Sequence, residues 1–341
     1  MKILFIGGTG NISEDCTALL HERGHEIFVL TRGRVRVPEA YHALRADRTD
    51  LTAMRQVLAG LGPEVVLNFL GYNLKDVEVD YELFRGNIRQ YVFISSATVY
   101  AASARRAPLT EAAPLGNDWW DYAQKKIACE QWLRERWQAE RFPLTIVRPS
   151  HTYSKRWIPN PVSSASYTVA ARLETGKPVW VHDQGESPWT LTASSDFAIG
   201  LAGLVGKDAA IGEAFHITSD EVLSWNQIYA EIAAAVAPAS QARSAQIVKV
   251  PTDFICKIAP EMTGTLKGDK AHPGVFDNSK IKRLVPDFQC RKPFRTGVRE
   301  SVAWLRAHPE QKNLRPELDA KIDLVLAAWE KECQAKPTAH P

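Results

Sequence analysis

Short apolar runs alternating with stretches of helical spacing set the plan of this chain. Lys2-Ile3-Leu4-Phe5-Ile6 opens it as a buried strand, too short for a membrane span or a secretory leader, and stops at Gly7-Gly8-Thr9-Gly10-Asn11-Ile12-Ser13. Cys16, Leu19 and Leu20 then recur near helical spacing up to Arg23, and Gly24 ends that helix. Further apolar runs at Glu26–Leu30, ahead of Asp47-Arg48, at Val65–Leu70, Tyr91–Ile94 and Leu144–Val147 read as five more strands. Continuous apolar strands alternating with amphipathic helices are buried on both faces, so the expected fold is α/β, a Rossmann-type doubly wound parallel sheet.

Beyond residue 153 the pattern changes. Lys155–Ser166, with Pro159 and Pro161, reads as a loop over the cleft, and Tyr167–Thr175 as a helix. Glu213–Ile217 is a strand, Trp225–Val236 an amphipathic helix capped by Ser224, and Asp277–Lys280 the cap of another helix. Leu318, Ile322, Val325 and Trp329 share one helical face, which makes the last helix a docking helix. We therefore expect a nucleotide-binding domain over residues 1–153, with a later segment near 190–220 returning to it. Residues 154–335 would form mainly a smaller substrate-binding lobe and the C-terminal helices.

The first turn carries chemistry. Gly7 and Gly10 allow the backbone to approach a pyrophosphate, and the free amides of the following helix attract its charge. Ser13 stands where a third glycine would serve close packing. The second strand ends at Thr31-Arg32-Gly33-Arg34 with no carboxylate. An acidic residue there takes the ribose hydroxyls of NAD, whereas an arginine can hold the extra phosphate of NADP. The reading leans towards NADP(H), with NAD(H) as the alternative. Asp47-Arg48 could border the adenine.

A second constellation is Tyr122-Ala123-Gln124-Lys125-Lys126 downstream of Ser95-Ser96. On a helix, Tyr122 and Lys126 share a face. A nearby cation favours the phenolate and is expected to bring the phenol towards neutral pH, with Ser96 supplying a second hydrogen bond.

On Gly7, Gly10, Ser96, Tyr122 and Lys126, supported by Arg148-Pro149-Ser150-His151-Thr152-Tyr153 and Phe276–Lys280, the chain resembles the short-chain dehydrogenase/reductase superfamily. Within it, the extended or atypical branch, the NAD-dependent epimerase/dehydratase family, is the nearer likeness. The resemblance implies catalytic roles for Ser96, Tyr122 and Lys126, the lysine also holding the nicotinamide ribose. It implies cofactor contacts from Gly7, Thr9, Gly10, Asn11, Ile12, Arg32, Asp47, Arg48, Leu70, Gly71, Tyr122, Lys126 and Pro149, and substrate contacts from Thr98, His151 and Trp189.

Departures from the family pattern bear on the substrate. Sugar-nucleotide dehydratases resembling this chain carry an Asp-Glu pair where Ala97 and Thr98 stand, so that dehydration is disfavoured. The connection Gly71–Gln90 has room for one helix, around Val77–Phe84, a shortening similar to the atypical group that includes the chloroplast stem-loop binding proteins. His151 replaces a substrate-touching asparagine, and it could transfer a proton or simply line the cleft wall. Trp189 stands near a position where relatives that grip a diphosphate carry arginine; losing that cation favours a smaller or less charged sugar, polyol or carbonyl compound.

Composition limits the partners. The 341 residues are 45% hydrophobic and 24% charged, with a net charge of +3, which predicts no strong polyanion partner. Arg32, Arg34 and Arg36, and Arg105-Arg106, read as solvated loops with one cofactor-phosphate contact. Five widely spread cysteines argue for free thiols in a reducing cytoplasm and against a metal site or disulfide framework. The expectation is a cytoplasmic NAD(P)-dependent oxidoreductase or epimerase with a sugar-like or polyol small-molecule substrate and no nucleic-acid or membrane partner, as a monomer or homodimer. The alternative is a dinucleotide-sensing or RNA-binding protein of the chloroplast stem-loop type.

Overall fold

The structure is a computed structural model describing residues 1–106, 108–237 and 246–335. Its strands are β1 (Lys2–Ile6), β2 (Glu26–Thr31), β3 (His42–Arg45), β4 (Val65–Asn68), β5 (Gln90–Ile94), β6 (Leu144–Arg148), β7 (His151–Tyr153), β8 (Val179–His182), β9 (Pro188–Ala193), β10 (Ala214–His216), β11 (Val222–Ser224) and β12 (Ile247–Val250). Seven of them form one sheet in the order β10-β6-β5-β4-β1-β2-β3. All its pairings are parallel, with Ile3 opposite both Ile27 and Val65 and Phe215 opposite Val147.

Alternation along β1 explains why both faces are covered. Ile3 and Phe5 enter the apolar layer that holds Leu20, Phe197 and Leu201, whereas Leu4 and Ile6 enter the opposite layer with Met54, Val77 and Leu133. The first layer is roofed by helices Ser13–Glu22 and Ser194–Leu204, which pack on each other. The second is roofed by Leu51–Leu58, Leu74–Phe84 and Asp121–Glu140.

β10 thus brings the chain back to the main sheet after the excursion through β7–β9. A separate core gathers the short sheets β11-β9-β7 and β12-β8 around Trp180, Trp189 and Trp225. Helices Trp225–Val236, Phe294–Ala307 and Pro316–Ala335 pack there, the last by burying Ile322 and Val325. Ser224 and Gln227 form a reciprocal capping box, so the helix at Trp225 starts at the serine. At Ser279–Leu284 the first free amide, that of Ser279, is taken by the Asp277 carboxylate at 2.7 Å.

Candidate active site

A cleft of about 550 Å³ opens at the C-terminal ends of β1, β2 and β4, where a parallel sheet presents its ligands. Gly7, Thr9, Gly10, Arg32, Asp47, Arg48 and Leu70 line it. Gly7 has φ +89, and a Cβ on it would meet Leu70 Cγ at 2.6 Å, so a side chain fails there on both counts. At Gly10 the nearest atom to a Cβ is Ser13 Oγ at 3.4 Å, which leaves that edge open to a ligand. Ser13 accepts the Gly10 amide at 2.9 Å. The close helix–strand approach is made by Gly8, whose Cβ would press on Phe5, Thr17 and Val29.

The end of the cleft beside β2 and β3 is basic. Arg32 and Arg34 line the cleft and are exposed, and Asp47 accepts from the amide and hydroxyl of Thr49 at 2.9 and 2.8 Å. Arg45, which carried no signal in the sequence, folds over Gly33 beside them. Arg48 is a floor residue. It donates to the Leu70 carbonyl at 2.7 Å and to the Asp76 carbonyl at 2.9 Å, and pairs with Asp80 at 3.2 Å.

Asn11 leaves the glycine turn to reach the far wall, donating to Thr152 O at 3.0 Å and accepting from Ser154 Oγ at 2.6 Å. Glu14 reinforces the same seam through Lys155 at 3.0 Å and Arg156 at 3.2 Å. Ile12 packs against the core, and the Pro149 carbonyl accepts the Ala97 amide at 2.9 Å.

Tyr122 and Lys126 lie on the first two turns of helix Asp121–Glu140. Asn117 sets that start, accepting the amides of Trp119 at 3.2 Å and Trp120 at 3.0 Å while donating to Thr98 O and Gly268 O. Lys126 belongs to the buried face, and its ammonium donates to Gly71 O at 2.8 Å and Ile94 O at 2.7 Å. It stands 4.8 Å from the Phe93 ring centroid and 5.9 Å from that of Tyr122. Burial lowers it to about 8.

The phenol behaves differently from the sequence expectation. Burial raises Tyr122 to about 12, partly offset by a hydrogen bond from Ser96 and reinforced by Tyr72 and Asp269. Lys126, spent on two carbonyl oxygens, does not bring it towards neutrality. Tyr122 therefore holds its proton at neutral pH in the chain alone.

Ser96 accepts from the Thr98 amide at 3.2 Å and hydroxyl at 3.0 Å. With its lone pairs engaged, its own hydroxyl is left to donate, and the phenol is its partner. Thr98 is buried, so it addresses Ser96 rather than the open cleft.

His151 and Trp189 satisfy each other. The indole, which can only donate, gives its proton to His151 Nδ1 at 3.3 Å, so the imidazole carries hydrogen on Nε2 and donates it to Ser164. Burial, followed by the charge of Lys270, pushes the imidazole well below its ordinary value. It is neutral with both nitrogens occupied. The sequence offered no sign of Asn117, which sets the start of the Tyr122 helix, or of Trp120, whose ring lies 5.2 Å from that of Tyr122.

Residues 3–217 match the profile of the NAD dependent epimerase/dehydratase family. The chain belongs to that family. This member is 27% identical to 2'-dehydrokanamycin reductase of Streptomyces kanamyceticus, over 89% of this chain and 84% of the relative. It is 25% identical to the chloroplast stem-loop binding protein of 41 kDa b of Arabidopsis thaliana, over 66% of this chain and 60% of the relative. In fold it is similar to UDP-glucose 4-epimerase of Bifidobacterium longum in complex with NAD+ and UDP, with TM-score 0.73 and 18% identity over 91% of this chain and all (100%) of that one. The epimerase/dehydratase chain is accordingly an NAD(P)-dependent oxidoreductase or epimerase. Among its described residues no helix is long and apolar enough to cross a membrane.

Proposed function

We propose that this enzyme uses NADP(H) in preference to NAD(H) and reduces a keto carbon, or oxidises the matching hydroxyl, of a sugar-like or polyol substrate. The observation that carries the reading is the hydroxyl line Thr98–Ser96–Tyr122, set beside an ammonium fixed on Gly71 and Ile94 at the end of the dinucleotide cleft. A bound nicotinamide supplies or accepts the hydride. Gly7 and Gly10 would hold its pyrophosphate, and Arg32 with Arg34 the additional phosphate.

Tyr122 keeps the proton that a developing alkoxide needs, and Ser96, donating to the phenol oxygen, would hold Tyr122 in place to give it. In the oxidative direction the same phenol oxygen takes the proton back. Similarity to 2'-dehydrokanamycin reductase supports a carbohydrate-like substrate.

An RNA-binding role is favoured by the similarity to the stem-loop binding protein. It leaves the linked hydroxyls and the buried ammonium without employment. We take them as chemical machinery. Tyr122→Phe tests this: hydride transfer measured at 340 nm should drop by about 1,000-fold while NADP(H) affinity stays within about threefold. Retained turnover refutes it.

A further inference from the structure

Lys270 closes the π-helical turn Leu266–Lys270, an irregularity that aims a side chain where a regular helix would not. Its carbonyl is pinned by Trp225 Nε1 at 3.1 Å and His182 Nε2 at 2.9 Å, so the start of the side chain is fixed. The ammonium stands 5.8 Å from the centroid of the Trp120 ring. That ring lies 5.2 Å from Tyr122, tilted by 49°. One indole thus separates the cation from the phenol.

Among the described residues no carboxylate forms an ion pair with this cation, although Asp269 acts on it from beside. The adjacent carboxylate, Asp269, is held by Arg105 at 2.9 Å, and the same guanidinium is anchored to Ala97 O at 3.1 Å. His151 is neutral and already satisfied, so it neither pairs with Lys270 nor competes for what does. Burial lowers the Lys270 ammonium below the ordinary lysine range, with Asp269 offsetting part of the shift and Arg105 adding to it. By contrast Arg48, Arg105 and Arg148 each face a carboxylate. A contact with one indole face is a weak substitute for an ion pair.

We propose that Lys270 determines specificity by receiving an oxyanion of the substrate, so that the enzyme acts on an acidic sugar or polyol. The carboxylate or phosphate would be carried about one sugar ring from the carbon that Tyr122 serves. The inference rests on the assignment of Tyr122 above. It also revises what the tryptophan at position 189 implied: the anion-binding charge comes from a different segment, opposite the indole.

The test is calorimetric titration of the NADP+-loaded enzyme at fixed ionic strength with D-glucuronate, D-glucose 6-phosphate, UDP-glucose and D-glucose. One acidic monosaccharide should bind at least about tenfold more tightly than D-glucose, and the tighter of the two names the anion. Lys270→Met should erase that preference without weakening D-glucose, and Lys270→Arg should keep most of it. A preference that survives in Lys270→Met, tightest binding of UDP-glucose independent of Lys270, or absence of any acidic preference in the wild type overturns the proposal. Hydride transfer from D-glucose that needs Tyr122, without acidic preference, would remove this inference alone. Lys270-dependent anion binding without hydride transfer from any probe would instead remove the assignment of Tyr122.

Discussion

Lys126 donates to the carbonyl oxygen of Ile94 at 2.7 Å, so the last residue of β5 holds the cation that neighbours the Tyr122 phenol. The bond joins helix Asp121–Glu140 to the end of a sheet strand. Lys126→Met should leave the oxygens of Ile94 and Gly71 without this donor and lower kcat/KM by about 100-fold or more. Lys126→Arg should not restore it, because the larger planar group does not fit the space between Phe93 and Tyr122. Steady-state kinetics with a Tm measurement separates the catalytic from the structural share.

The two outer glycines of the first turn should fail differently. Gly10→Ala places its methyl in open cleft, so Tm should stay within about 2 °C while dinucleotide affinity falls by about tenfold or more. Gly7→Ala meets both positive φ and Leu70, and should lower Tm as well. Fluorescence titration and thermal melts check both; a Gly10→Ala variant that binds normally would place the pyrophosphate elsewhere.

The proposed preference for NADP(H) places its phosphate on Arg32. Arg32→Ala should weaken NADP(H) by about tenfold or more and leave NAD(H) within about twofold, since only one of them carries the phosphate it would meet. Equal losses for both would show that Arg32 does not read that phosphate. Arg34 and Arg45, close by, should then be replaced in turn.

Asp80 predicts a stability profile. It is fully buried, accepts from Tyr91 at 2.6 Å and from Asn68, and pairs with Arg48, yet burial lifts its carboxyl to about 6. The folded value lies above the unfolded one of about 3.9, so its favourable contribution is complete below about pH 4 and lost as pH rises through about 6. The loss is on the order of 3 kcal/mol. Asp80→Asn lacks this titration and should gain on the wild type between pH 4 and 7 in urea midpoints. A constant difference would contradict it.

What the sequence disclosed follows the range of each interaction. β1, β2, β4, β5 and β6 stood out because they are buried apolar runs, whereas the edge strand β3 is mostly exposed. β7, β11 and β12, three or four residues each, are too short to show a period, and their lobe is assembled from distant segments. Tyr122 and Lys126 were legible because one helical turn sets their proximity. The alkaline setting of the phenol was not, because sequence counts neighbouring charges but not the water removed around them. Lys270 was equally hidden: that it forms no ion pair among the described residues depends on Arg105 capturing Asp269 across 164 positions of chain.

Asn11 is a rivet. Its amide is fastened at both atoms to Thr152 and Ser154, and the Glu14 ion pairs lie along the same line. The glycine turn and the opposite bank are therefore laced shut on that side. The free margin is the other one, where Val35 and Tyr72 stand half exposed at 50% and 49%. A long dinucleotide held by the glycine turn, as proposed, would enter at that margin, with the riveted bank as its back wall.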